Sequence, residues 1–122
     1  MPTSPQVIIA DDHESVRAFL ARVLNRTYPA VNIIAVANGA EALAAYNQHG
    51  ADLLITNYMM PHLHGLDLVR ALRAQQVTIP ILMISSDPLI GQVGLAAGAD
   101  RFLLKPFLLA ELTQTLIDLL PP

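Results

Sequence analysis

The 122-residue sequence predicts an α/β fold: an open, doubly wound parallel sheet built from five β/α units. Short β-branched apolar runs alternate from end to end with stretches of helical spacing. The apolar runs are nearly continuous, as in strands covered by helices on both faces, and do not show the in-and-out alternation of a half-exposed sheet. Closure into a barrel needs eight units, and five leave the sheet open. The chain is 53% hydrophobic and only 14% charged, and the surplus is aliphatic. A doubly covered sheet or an interface would hide it.

The expected strands are Val7 to Ala10, Val31 to Val36, Leu53 to Thr56, Ile81 to Ile84 and Arg101 to Leu104. The first helix shows in Val16, Phe19, Leu20, Val23 and Leu24, spaced i, i+3, i+4, i+7, i+8, with Arg17, Arg22 and Arg26 elsewhere on the wheel. A second helix is expected from about Ala40 to Gln48 after the Asn38-Gly39 turn, and a third from Leu66 to Ala74 after Gly65. The fourth, from about Leu89 to Ala97, should be the weakest, shortened or mobile. It carries Gly91 and Gly94, each costing about 1 kcal/mol against Ala in a helix interior, and no charge falls between Pro88 and Ala99. The fifth is expected from Leu108 to Leu120, with Leu109, Leu112, Leu116 and Leu120 as its core stripe.

Composition narrows the function classes. The absence of cysteine excludes thiol chemistry and cysteine-ligated metal centres. No apolar run approaches the roughly 18 to 20 residues of a membrane span, and Met1 to Pro5 lack the basic and apolar regions of a secretory signal, so a cytoplasmic protein is expected. A net charge of −3 with scattered arginines offers no basic stripe for a phosphate backbone, which argues against direct nucleic-acid binding. One domain over residues 1–122 is expected, with a tail at 1–5 and Pro121-Pro122 as the start of a linker to an output domain.

Ligands of open parallel sheets bind beyond the carboxyl ends of the strands. There the sequence supplies Asp11 and Asp12, then Asn57, then Ser85 and Ser86, then Lys105-Pro106. Two adjacent acids suit a hard, oxygen-seeking cation such as Mg²⁺, and the lysine suits an anion beside it. Plainer roles exist: acids favour helix N-termini, and serines favour turns. His62 and His64 lie beside the pocket without a third ligand at suitable spacing and read as solvated loop residues; His13 and His49 carry no assigned role. No glycine-rich phosphate loop follows the first strand, which disfavours a flavodoxin-like cofactor binder or a hydrolase.

Several separated motifs together resemble the receiver domains of two-component response regulators, the CheY-like family. They are Ile9-Ala10-Asp11-Asp12, the run from Asp52 to Pro61 with Gly65 four residues on, Ser85, Gly98-Ala99-Asp100 leading to Phe102, and Lys105-Pro106-Phe107. The resemblance implies a flavodoxin-like three-layer α/β/α sandwich with sheet order 2-1-3-4-5. It implies a signalling module, not an enzyme, that takes a phosphoryl group from a histidine kinase, phosphotransfer protein or small phosphodonor. It also implies Mg²⁺ held by Asp12 directly, by Asp11 partly through water, by the residue at position 57 and by the Met59 carbonyl. Ser85 and Lys105 would meet the phosphoryl oxygens, Phe102 holds the aromatic switch position, and Lys105-Pro106 would be a cis peptide.

The sequence departs from that family at one position. Asn57 stands where the phosphoacceptor aspartate belongs. A carboxamide is neutral and a far weaker nucleophile than a carboxylate, so the family's reaction should not occur here, and Mg²⁺ should bind more weakly or not at all. Two explanations stay open: a receiver trapped in its unphosphorylated state by substitution, engineered or natural, or a pseudo-receiver that acts only through protein contacts. A homodimer through the fourth helix, fifth strand and fifth helix is expected from Ile90, Leu95, Leu108 and Ile117.

Overall fold

The computed structural model describes residues 4–122, so the expected tail at residues 1–5 lies partly outside the described residues. Five strands and five helices alternate: β1 (Gln6–Ala10), α1 (Glu14–Thr27), β2 (Asn32–Val36), α2 (Gly39–His49), β3 (Leu53–Asn57), α3 (Gly65–Ala74), β4 (Ile81–Ser85), α4 (Ile90–Ala97), β5 (Arg101–Leu104) and α5 (Leu109–Leu119). All pairings are parallel, in the order β2-β1-β3-β4-β5. This is the expected doubly wound α/β/α sandwich.

Successive side chains of a strand point to opposite faces, so each strand feeds two cores. Val7, Ile9, Leu53, Ile55, Leu82, Ile84 and Leu103 meet Leu20, Val23 and Leu24 of α1 and Leu112 and Leu116 of α5. Ile8, Ala10, Leu54, Ile81 and Met83 meet Ala42 of α2 and Leu68, Val69 and Leu72 of α3 on the other side. The five residues of β3 and of β4 are all buried, which accounts for their continuous apolar character. The edge strands β2 and β5 are partly open.

Two details differ from the sequence expectation, and a third, the short fourth helix, agrees with it. Val31 precedes β2, its N–H donating to the Tyr28 carbonyl. Leu109 is 51% exposed in the first turn of α5, facing a groove shared with Phe19 and Val23 of α1, while Thr115 takes a core position and Leu119 and Leu120 pack partly against the core. The fourth helix is the shortest of the five but forms two full turns. Its glycines answer to packing: a Cβ on Gly94 would lie 2.8 Å from the Met83 sulfur, and one on Gly91 3.0 Å from the Phe102 ring. The helix gives up intrinsic propensity to lie close on β4 and β5.

Two polar anchors close the ends of the sandwich. Arg73 donates to the carbonyls of Val77 (2.8 Å), Ile79 (2.9 Å) and Gly98 (3.0 Å) and to Asp100 Oδ2 (3.0 Å), which also accepts from Ile81 N–H (2.8 Å). One guanidinium thereby joins α3, the entry to β4 and the turn before β5. The buried Tyr28 hydroxyl donates to the carbonyls of Leu116 (2.9 Å) and Leu120 (2.6 Å) in a three-centre bond, and burial pushes its pKa up to about 12.

Replacing Arg73 by Met should destabilise the fold by about 2–4 kcal/mol in urea unfolding, because three carbonyls and a carboxylate lose a charged donor together. A loss within about 0.5 kcal/mol would mean that water replaces the guanidinium. The raised Tyr28 pKa adds stability that is complete below pH 10 and is lost as pH rises toward about 12, by about 2–3 kcal/mol, since the unfolded phenol ionises first. Unfolding curves of the wild type and Tyr28→Phe should therefore converge over that interval; parallel curves would contradict the assignment.

Candidate functional site

The carboxyl ends of β1, β3, β4 and β5 come out level because the strands pair in register, Ala10 beside Thr56, Asn57 beside Ile84 and Ser85 beside Leu104. This level edge gathers Asp11, Asn57, Ser85 and Lys105. Asn57 and Ser85 are the closing residues of their strands, at 8% and 5% exposure, and Asp11 is buried at 2%.

Asn57 is held at both ends of its amide. Its Oδ1 accepts from Lys105 Nζ at 3.3 Å, and its Nδ2 donates to the Met59 carbonyl at 2.9 Å. Only this orientation satisfies both neighbours, because an ammonium can only donate and a carbonyl can only accept. Lys105 Nζ also lies 3.7 Å from Asp11 Oδ2. Asp11 Oδ1 accepts from His13 N–H at 2.9 Å, and the Asp11 carbonyl accepts from Arg17 at 2.8 Å. Ser85 Oγ accepts from Asp87 N–H at 3.0 Å, and the Ser85 carbonyl accepts from Lys105 N–H at 2.8 Å. The Lys105-Pro106 peptide is cis.

Asp11, Asp12 and His13 each place a ligand atom within 4.8 Å of the others, the one such grouping among the described residues. The wider set implied for Mg²⁺ fits less well. Two of its four members are engaged elsewhere: the Met59 oxygen by the Asn57 N–H, and the Asn57 oxygen by Lys105. The four residues as arranged do not form that ligand set.

His13 had no role in the sequence reading, yet its Nδ1 lies 3.2 Å from Asp11 and 3.3 Å from Asp12. Its place directly after the acid pair was the available signal. Arg17 reaches the pocket from α1, and Asp87 caps Ser85 through its N–H from two residues on, in the kind of turn that serines favour. His64 is not paired with His62; its ring stacks on Tyr58 and its Nδ1 accepts from Met60 N–H at 3.4 Å.

Of the four aliphatic residues expected in a dimer patch, Leu95 and Leu108 are exposed, and Ile90 packs partly into the core near Phe102. Ile117 faces the groove toward α1, and the structure does not bring it to Ile90. Exposed Met59 and Leu89 join Leu108 on the loops that follow β3, β4 and β5. Between β5 and α5, Arg101 pairs with Asp118 at 3.2 Å.

Residues 7–117 match the family model described as the response regulator receiver domain. The chain is 37% identical over 120 residues to the transcriptional regulatory protein PrrA of Mycobacterium tuberculosis, covering 97% of this chain and 51% of PrrA. It is 37% identical over 123 residues to the sensory/regulatory protein RpfC of Xanthomonas campestris, covering 95% of this chain and 16% of RpfC. The structure of the chemotaxis response regulator CheY4 of Vibrio cholerae superposes with a TM-score of 0.85 at 32% identity, covering 96% of this chain and 99% of CheY4. The chain thus spans about half, or less, of the PrrA and RpfC lengths.

Gly65 sets the distance between α3 and this site. A Cβ there would overlap the Asn57 carbonyl oxygen, and Gly65 N–H donates to Tyr58 at 2.8 Å. Gly65→Ala should cost about 1–3 kcal/mol in thermal unfolding and shift the Asn57 and Met59 amide resonances. Unchanged resonances would show that α3 yields instead of β3.

Proposed function

The chain belongs to the response regulator receiver domain family, and from that premise we propose that it is a two-component receiver module whose acceptor position carries no phosphoryl group. The observation behind this reading is Asn57 at the end of β3, its amide bonded to Lys105 and Met59. Phosphoryl acceptance needs an anionic oxygen to attack phosphorus. The Asn57 oxygen is neutral, and its lone pairs face the Lys105 ammonium. The module works by binding, not as an enzyme.

Its partners are a histidine kinase or phosphotransfer protein and, in a longer parent chain, an output domain, a placement supported by the greater length of PrrA and RpfC. The cytoplasm is the compartment such partners require. No helix among the described residues is long and apolar enough to cross a membrane. A receiver held in its unphosphorylated state and a pseudo-receiver remain the two forms of the proposal. The first is favoured by the company Asn57 keeps: Lys105 bonds it, Asp11 lies beside Lys105, and Ser85 closes the neighbouring strand.

Intact mass after incubation with acetyl phosphate and Mg²⁺, for this chain beside its Asn57→Asp variant, tests the reading. A phosphoryl gain by the variant alone is the expected result. A gain by both would overturn the assignment of residue 57, and a gain by neither would favour the pseudo-receiver form.

A further inference from the structure

The two hydrogen bonds of the Asn57 amide carry a consequence beyond the loss of a nucleophile. A carboxylate at position 57 would place an oxygen where Nδ2 now sits, 2.9 Å from the Met59 carbonyl oxygen. Two lone-pair-bearing oxygens at that separation repel unless a hydrogen or a cation lies between them. Asparagine brings that hydrogen covalently. Its other end, facing Lys105, needs no cation either. The buried acid beside it, Asp11, already has internal partners in Lys105 and the His13 N–H.

The bond to Met59 acts inside a backbone that requires holding. The loop between β3 and α3 contains two consecutive non-glycine residues in the left-handed region, His62 at φ 56° and Leu63 at φ 129°. Such conformations persist where surroundings over-determine them. The loop is tied at Tyr58, whose N–H donates to Ile84 at 3.0 Å, and at Gly65, whose N–H returns to Tyr58. The Tyr58 and His64 rings stack at 6.1 Å between centroids. Between these ties, the Asn57 bond fixes the Met59 peptide and leaves the Met59 side chain 61% exposed.

Resting on the reading of residue 57 given above, we infer that the Asn57 amide bridges residue 57 to the Met59 carbonyl in place of a divalent cation. The 58–64 loop therefore keeps one shape with or without Mg²⁺. Asn57 is a positioning residue, and the surface around Met59 is presented to partners independently of the cation.

Amide hydrogen exchange of peptides spanning residues 58–65, in EDTA and in excess Mg²⁺, reads this directly. The wild type should exchange at the same rate in both. Asn57→Asp should exchange about fivefold faster in EDTA and recover protection in Mg²⁺, the change expected from one lost hydrogen bond. Asn57→Ala should exchange faster in both conditions, with thermal unfolding showing that each variant is folded. Slower exchange of the wild type on adding Mg²⁺, or an Asn57→Asp loop as protected in EDTA as the wild type, would overturn the inference. Neither result depends on phosphorylation. If Mg²⁺ tightens the wild-type loop while its mass stays unchanged with acetyl phosphate, the bridge alone fails; if the wild type gains a phosphoryl group, the reading of residue 57 fails.

Discussion

The parallel register of β1, β3 and β4 is the constraint on which the site depends. These strands are almost wholly apolar and buried on both faces, so slipping one by a single residue would turn every side chain toward the wrong core. Register sets the level of the strand ends. Asp11 follows β1, and Asn57 and Ser85 close β3 and β4, each within a residue or two of its last core side chain. The pocket's precision is inherited from hydrophobic packing below it, and its own hydrogen bonds then orient groups that the sheet has already brought together.

Packing explains residues that propensity treats as defects. Gly91 and Gly94 weaken α4 as an isolated helix, yet each leaves space for a side chain of the sheet, Phe102 and Met83. Gly65 does the same for the Asn57 backbone. The opposite edge of the sheet is held by Arg73, which supplies charged hydrogen bonds to loop carbonyls that strands and helices leave unpaired. The two edges thus differ in kind: one is tied down by a satisfied guanidinium, the other carries acids, an amide, a hydroxyl and an ammonium.

Within that pocket an amide at position 57 brings more than neutrality. It supplies a donor as well as an acceptor, and the neighbours at position 57 are one of each complementary kind: Lys105, which donates, and the Met59 carbonyl, which accepts. A site of this family with an acid at that position would have to balance three carboxylates; here two remain, with Lys105 and His13 beside them. A saturated pocket of this kind is suited to presenting a fixed surface.

By itself the sequence determined the fold class, nine of the ten elements to within a residue, the place of the first helix, and the residues at the strand ends. Continuous apolar runs such as Leu53 to Ile55 and helical spacing such as Val16 to Leu24 are local signals of burial, and turn residues mark where they stop. It also placed an asparagine, Asn57, at the end of the third strand, since residue identity needs no coordinates. Only the tertiary structure decided which oxygen meets which donor. That His13 Nδ1 lies within 3.3 Å of both acids, that Arg17 holds the Asp11 carbonyl, that Ile117 faces α1 and that Leu109 is exposed all depend on how helices sit on the sheet. The same holds for the Asn57 amide, whose two bonds reach residues 2 and 48 positions away. Such contacts are set by three-dimensional distance and direction, which a pattern along the chain does not encode.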